Sequence, residues 1–216
     1  MTLSKTNNEI FDNQGYLVVR DLWNPEELYR KVPSKGGQIH YWGKKLNEFT
    51  YAGEDTQVNG ATGCYNHPQY RNIHSQIRLK LEKIIGKKLY NTYYFDRFYF
   101  SNQKLEKHID RPSCEISLSI HISSNSKTPW PIFVKTPHGD DASINLSAGD
   151  AILYKGCEVI HWRNEFDKRN ILLHNSIPQK YYHQLFFHYV LSNGNNVHYA
   201  FDSVDWELHD LGLCFY

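Results

Sequence analysis

Apolar residues recur along this chain with two periods, and the change from one to the other divides it. From Pro68 to Gly86 the positions Tyr70, Ile73, Ile77, Leu81 and Ile84 lie three or four apart, which predicts one amphipathic helix stopped by Gly86. After Lys87 the period falls to two. Ile116, Leu118, Ile120 and Ile122 alternate with Ser117, Ser119 and His121, as in a strand with one face buried. The aromatic run LYNTYYFDRFYF and the runs WPIFVK, ASINL, AILYK, EVIHW and HQLFFHYV also read as strands, separated by turn signals such as Ala148-Gly149-Asp150. Upstream, Asn24-Pro25-Glu26-Glu27 supplies a cap, an N1 proline and two acids, and predicts a short helix over 25–31. Val32 to Asn66 has no clear period and is expected to be irregular, bordering or covering a pocket. About eight short strands after a helical layer suit a mainly β fold with α, a double-stranded β-helix (a cupin-like jelly roll) with helices packed on one sheet. The expectation is one domain over residues 1–216, with a helical layer to about 86 and a β-helix core from about 87 to 201.

Composition narrows the function classes only slightly. The 24 basic and 23 acidic side chains nearly cancel, so bulk attraction to nucleic acid or anionic lipid is not expected. The four cysteines, Cys64, Cys114, Cys157 and Cys214, form no C-x-x-C pair, which disfavours a zinc site or disulfide framework and fits a reducing compartment. No run has signal-peptide character or membrane-spanning length, so the expected setting is cytoplasmic.

The informative chemistry is a spacing of histidine and aspartate. His108-Ile109-Asp110 puts an imidazole and a carboxylate two residues apart, on the same side of an extended strand, and Arg111-Pro112 then turns the backbone out of it. His161 ends the strand run EVIHW about four strands later, far enough round a jelly roll to return beside the first two. Two histidines and one carboxylate on one face are the donor set that holds iron(II) with positions left open. The spacing H-x-D is weak by itself against a background of 12 histidines, and it occurs twice. His138-Gly139-Asp140 falls in a Thr-Pro-His-Gly-Asp-Asp turn signal, where both side chains are expected in solvent.

Read together, RFYFSNQKLEKHIDRPSCEISLSIHI, LSAGDAILYKGCEVIHWRNEF and HQLFFHYV resemble the prolyl 4-hydroxylase-like iron(II)/2-oxoglutarate oxygenases, in particular cyanophage and marine bacterial forms. FDNQGYLVVRDLWNPEEL is similar to the opening segment of such enzymes. The resemblance implies that His108, Asp110 and His161 ligate iron and that 2-oxoglutarate is co-substrate, with ascorbate as an auxiliary reductant. It further implies hydroxylation of a C–H bond with succinate and carbon dioxide as co-products. Asp110 favours hydroxylation over halogenation, since related halogenases carry a small residue there. The implied substrate is a protein, peptide, amino acid or other small molecule, and the implied setting is the host cytoplasm if the protein is phage-encoded.

One element of that family pattern is missing: the last strand, HQLFFHYV, carries no lysine or arginine to pair the distal carboxylate of 2-oxoglutarate. Because a buried dicarboxylate needs a charged donor or several neutral ones, Arg163, on the His161 face, is the leading candidate. The competing role for Arg163 is a surface ion pair with Glu165. Tyr99, Ser119, His121, Lys135 and His188 are further candidates for contacts to the co-substrate, and Gln184 shares the His188 face. Two other readings stay open, a nucleic-acid base hydroxylase or demethylase of the same superfamily and a cupin-like metal-binding module or isomerase. The cations of RNIHSQIRLKLEKIIGKK are expected to be a solvated helix face rather than a nucleic-acid stripe.

Overall fold

A computed structural model describes residues 6–33, 51–55, 57–169 and 179–203. Helix α1 (Asn7–Gln14) starts at Thr6, whose hydroxyl accepts from the Glu9 amide while the Glu9 carboxylate accepts from the Thr6 amide, and it ends at Gly15 in the left-handed region. Strand β1 (Tyr16–Val19) follows, then α2 (Pro25–Leu28) capped by Asn24. The helix α2 has four residues, shorter than its sequence predicts. At Tyr29 the backbone becomes extended, and Arg30 turns inward to Asp96 at 2.6 Å. The buried Asp96 also accepts from His183 at 3.0 Å, so an ion pair inside the fold overrides local helix propensity.

The segment expected to be irregular carries two strands, β2 (Tyr51–Glu54) and β3 (Thr62–Tyr65), which pair with each other antiparallel. The layer before residue 87 is therefore not purely helical. Pairing of β3 with the next strand supplies the backbone partners that this Gly-rich and Asn-rich stretch does not advertise in its side-chain pattern. Residues 34–50 and 56 of that segment lie outside the described residues. A 3-10 turn at Pro68–Tyr70 then leads into α3 (Arg71–Ile85), and Gly86 closes it in the left-handed region, as its sequence predicts.

The remaining strands are β4 (Leu89–Phe100), β5 (Leu105–His108), β6 (Ile116–Ser124), β7 (Ile132–Lys135), β8 (Asp141–Ile144), β9 (Ala151–Lys155), β10 (His161–Arg163) and β11 (Tyr181–Leu191). They form two antiparallel sheets, a large one ordered β1-β9-β6-β11-β4-β3-β2 and a small one ordered β5-β10-β7-β8. With the helices on one face of the large sheet, this is the double-stranded β-helix.

Alternation in β6 decides what goes where. Ile116, Leu118, Ile120 and Ile122 join Leu153, Leu185 and Phe187 in a core against Phe11, Leu28, Ile77, Leu81 and Ile85 of the helices. Ser117, Ser119 and His121 consequently point between the two sheets. That lumen is apolar at one end, where Ile132, Val134, Ile144, Ile152 and Tyr154 pack together, and polar in its middle. Among the described residues no helix is long and apolar enough to cross a membrane.

Candidate active site

The pairing of β10 with β5 places His161 directly opposite His108, with ring centroids 4.3 Å apart. Asp110, just past the end of β5, is held by its amide donating to the Gly156 carbonyl at 2.8 Å. Its Oδ1 then lies 3.6 Å from His108 Nε2 and 3.5 Å from His161 Nε2. The three side chains form a group whose ligand atoms all lie within 4.8 Å of one another.

Both rings are oriented from behind. His108 Nδ1 donates to the Glu106 carbonyl at 2.8 Å and His161 Nδ1 to the Val159 carbonyl at 3.0 Å, which leaves each Nε2 lone pair aimed at the space beside Asp110. The Gln57 carboxamide reaches in from the β2–β3 turn and donates to His108 Nε2 at 3.0 Å. Ser117 donates to the outer oxygen of Asp110 at 2.8 Å and contacts His188 Nδ1 at 2.9 Å. Gly156 has to be glycine here, because a Cβ would stand 2.1 Å from the Cys114 carbonyl and 2.7 Å from the Asp110 carboxylate.

The electrostatics suit a cation. Burial alone would raise the Asp110 carboxyl, but the adjoining His108 and His161 rings and the hydrogen bond from Ser117 outweigh it and hold it below the ordinary carboxylate range. Burial pushes His161 down, keeping that ring neutral, as a ligand must be. Asp110, Cys114 and His188 make a second close group. It is the poorer donor set, since burial pushes the Cys114 thiol up to about 12 and His188 Nδ1 is already engaged by Ser117. The residues of the first group fit iron(II) on one octahedral face.

Two residues beyond His161, Arg163 enters the same lumen and is 1% exposed. It makes no ion pair with Glu165, which meets Lys168 at 3.6 Å instead. Its guanidinium donates to the Trp130 carbonyl and to Tyr182 Oη, and it lies over both rings at 4.6 and 4.8 Å. Among the described residues no carboxylate pairs it, and its Nε has no hydrogen-bond partner. His121 stacks on Tyr182 at 4.1 Å, donates from Nδ1 to the Leu146 carbonyl at 2.9 Å and leaves Nε2 unpartnered. Burial pushes His121 down to about 4. Gln184 donates to Ser119 and keeps its own oxygen unpartnered.

The structure therefore brings Arg163, His121 and Ser119 together, with Gln184 and Tyr182 completing the cluster. Tyr99 is buried beside it, edge-on to Trp130 at 4.9 Å, with its hydroxyl accepting from Arg97 at 2.8 Å. His188 sits instead at the triad end of the lumen, against Ser117. Lys135 is not brought to the site. On β7 it alternates with the lumen-facing Val134, is exposed, and lies 3.5 Å from Asp141.

Sequence reading passed over Ser117, Gly156, Arg97, Gln57 and Tyr182. Ser117 and Tyr182 could have been found from alternation, since they share faces with Ser119 and Gln184. Nothing local marks Gly156 or Gln57. The second H-x-D lies where its turn signal predicts, with His138 and Asp140 exposed and Gly139 in the left-handed region.

No protein-family model matches this sequence, and no curated protein is similar to it. Solved structures are similar in fold. A Pseudomonas putida prolyl-4-hydroxylase superposes with a TM-score of 0.56 at 11% identity, covering 83% of this chain and 95% of that one. An oxidoreductase of the 2OG-Fe(II) oxygenase family from Burkholderia pseudomallei gives 0.58 at 11%, covering 85% and 88%. HygX from Streptomyces hygroscopicus, with nickel and 2-oxoglutarate bound, gives 0.54 at 10%, covering 87% of each. At these identities the likeness carries the double-stranded β-helix and does not select a prolyl hydroxylase or a phage form.

Proposed function

We propose that this protein is an iron(II)- and 2-oxoglutarate-dependent oxygenase that hydroxylates a C–H bond of a peptide, amino acid or other small molecule. The observation that carries the reading is Arg163. A guanidinium 1% exposed, with an orphaned Nε and no carboxylate partner among the described residues, is costly unless an anion completes it. It shares a lumen, and a strand, with a group able to hold a divalent cation. A dicarboxylate that chelates a metal through one end and needs a buried cation at the other fits both features.

In this reading His108, Asp110 and His161 hold the iron. Arg163, aided by His121, Ser119 and Tyr182, pairs the distal carboxylate of the co-substrate. Bound iron(II), 2-oxoglutarate and dioxygen supply the oxidising chemistry, with succinate and carbon dioxide as co-products. The protein's own part is to orient and to shield. The backbone carbonyls of Glu106 and Val159 fix the imidazole tautomers, Ser117 fixes the carboxylate, and Val58, Leu105, Trp130 and Phe166 keep the Arg163 end dry. Anaerobic reconstitution with iron(II), followed by measurement of succinate formed from 2-oxoglutarate, tests the proposal. Turnover is expected to vanish in His108→Ala and His161→Ala, and its survival in both would reject the assignment.

A further inference from the structure

The turn between β2 and β3 is tied together by one buried carboxylate. The Asp55 amide donates to the Ala61 carbonyl at 2.9 Å, and Asp55 Oδ1 accepts from the amides of Gln57 and Val58 at 2.7 and 2.9 Å. The other oxygen of Asp55 accepts from Arg97 Nε of β4 at 2.6 Å. Arg97 is itself buried, and its two remaining nitrogens donate to Tyr99 Oη and to Gln57 Oε1, both at 2.8 Å. A turn held this firmly delivers the Gln57 side chain to a fixed place.

A guanidinium has no acceptor, so the end of the Gln57 carboxamide that faces Arg97 is its oxygen and the free end is its NH2. That NH2 stands 3.0 Å from His108 Nε2. His108 Nδ1 donates its proton to the Glu106 carbonyl, so Nε2 is a lone pair, the one a cation held by His108, Asp110 and His161 needs. Donor and acceptor are thus each assigned independently, and they match. A lone pair serves one partner at a time. Loading the triad therefore displaces the amide from His108. Gln57 is otherwise exposed, so no packing resists that step, while Arg97 keeps hold of the oxygen end and retains the side chain beside the triad.

The neighbouring packing sets what the displaced N–H meets next. Val58, adjoining Gln57, lies in one apolar cluster with Tyr99, Trp130 and Tyr182, and the last two sandwich Arg163. Tyr99, which accepts from Arg97, is edge-on to Trp130 at 4.9 Å. The turn thus borders the lumen from the triad to Arg163, the path that a dicarboxylate joining the two must follow.

We infer that Gln57 is a binding residue with two positions. Its amide occupies His108 Nε2 in the empty site, and once a cation takes that nitrogen it donates to the metal-chelating end of the dicarboxylate. The second position rests on the oxygenase reading; the first does not. Gln57 consequently opposes the metal and favours the co-substrate. Removing a residue that merely held the turn together would weaken both.

The test is calorimetry on the full-length protein, with nickel(II) titrated first and 2-oxoglutarate then titrated into the nickel-loaded protein. The parent is compared with Gln57→Leu and Gln57→Glu. Gln57→Leu should bind nickel about three- to tenfold more tightly, because no bond to His108 has to break, and 2-oxoglutarate about tenfold more weakly. Gln57→Glu keeps an acceptor for Arg97, loses the donor and offers the cation an anionic oxygen. It should tighten nickel further and loosen 2-oxoglutarate at least as much. Nickel affinity unchanged or lowered in Gln57→Leu would overturn the inference, as would 2-oxoglutarate affinity that stays at the parent value in both variants. Failure of 2-oxoglutarate to bind the nickel-loaded parent, with nickel still tightened by Gln57→Leu, would strike the oxygenase reading and leave the occupation of His108 by Gln57 standing.

Discussion

The sequence contains the same three-residue pattern twice, and the two copies end in opposite environments. His108 and Asp110 stand at the end of β5, where His161 of β10 faces them and Ser117 of β6 supports the carboxylate. His138 and Asp140 stand in the turn between β7 and β8. There the Thr136 amide donates to the Asp140 carbonyl at 2.8 Å, Gly139 turns the backbone, and both side chains meet water. The lesson is that a donor pair becomes a site through what other strands bring to it. An imidazole in water has no fixed tautomer and no second histidine, whereas His108 has both arranged for it.

The sharpest way to break the comparison is to remove a ligand from the first copy. Asp110→Ala or His161→Ala is expected to weaken nickel binding by more than about 100-fold, since even supporting residues of metal sites commonly cost about 10 to 100-fold. Calorimetry reads this directly, and affinity retained in either variant would put the metal elsewhere.

Next in size is Arg163→Ala. Loss of a charge-assisted pair in a dry site is worth about 1.5–3 kcal/mol, so 2-oxoglutarate affinity should fall about 10 to 100-fold with nickel affinity unchanged. An unaltered affinity for 2-oxoglutarate would release Arg163 from that role.

A histidine enclosed in the core should also show itself through the pH dependence of stability. His74 on α3 is enclosed by Tyr94, Phe187 and Tyr189, and burial pushes it down to about 3. The unfolded state takes up this proton near pH 6.5 and the folded state does not, so the stability is complete above that value and is lost as pH falls from about 6.5 towards 3. His74 alone should cost about 2 kcal/mol between about pH 7 and pH 5. Urea titrations at both values should show a shallower acid loss in His74→Phe than in the parent protein.

Ser117→Ala sharpens the comparison more gently. It leaves all three ligands in place but frees the Asp110 carboxylate to rotate, and nickel affinity should drop about tenfold. At the bottom of the scale, the double change His138→Ala with Asp140→Ala should leave nickel affinity, 2-oxoglutarate affinity and stability at their original values. Any loss of metal there would show that the second copy also binds.

Much of this arrangement is legible in the sequence by itself. The period-two pattern of residues 116–122 fixes which face of β6 is core, because a strand cannot turn single side chains over without a slip that reverses all of them. The helix over 71–85 and its stop at Gly86 follow from spacing and from glycine's tolerance of the left-handed region. The capping box Thr6-x-x-Glu9 that starts α1 is a signal the sequence reading passed over. The two-residue spacing in His108-Ile109-Asp110 sets a shared side for both donors, and the glycine turn sets His138 outside.

What needed the tertiary structure were the relations between strands far apart in sequence. β2 and β3 have no strong side-chain pattern and exist as strands because β4 offers β3 a pairing edge and β3 in turn offers one to β2. The choice between a solvated pair with Glu165 and a buried role for Arg163 could not be made locally, since one strand gives both residues equal access to water. It was settled by Trp130 and Tyr182, brought by two other segments to sandwich the guanidinium. Lys135 and Arg163 are both cations on strands of the small sheet, yet only one enters the lumen, because the alternation phase of each strand is fixed by the apolar neighbours it must bury.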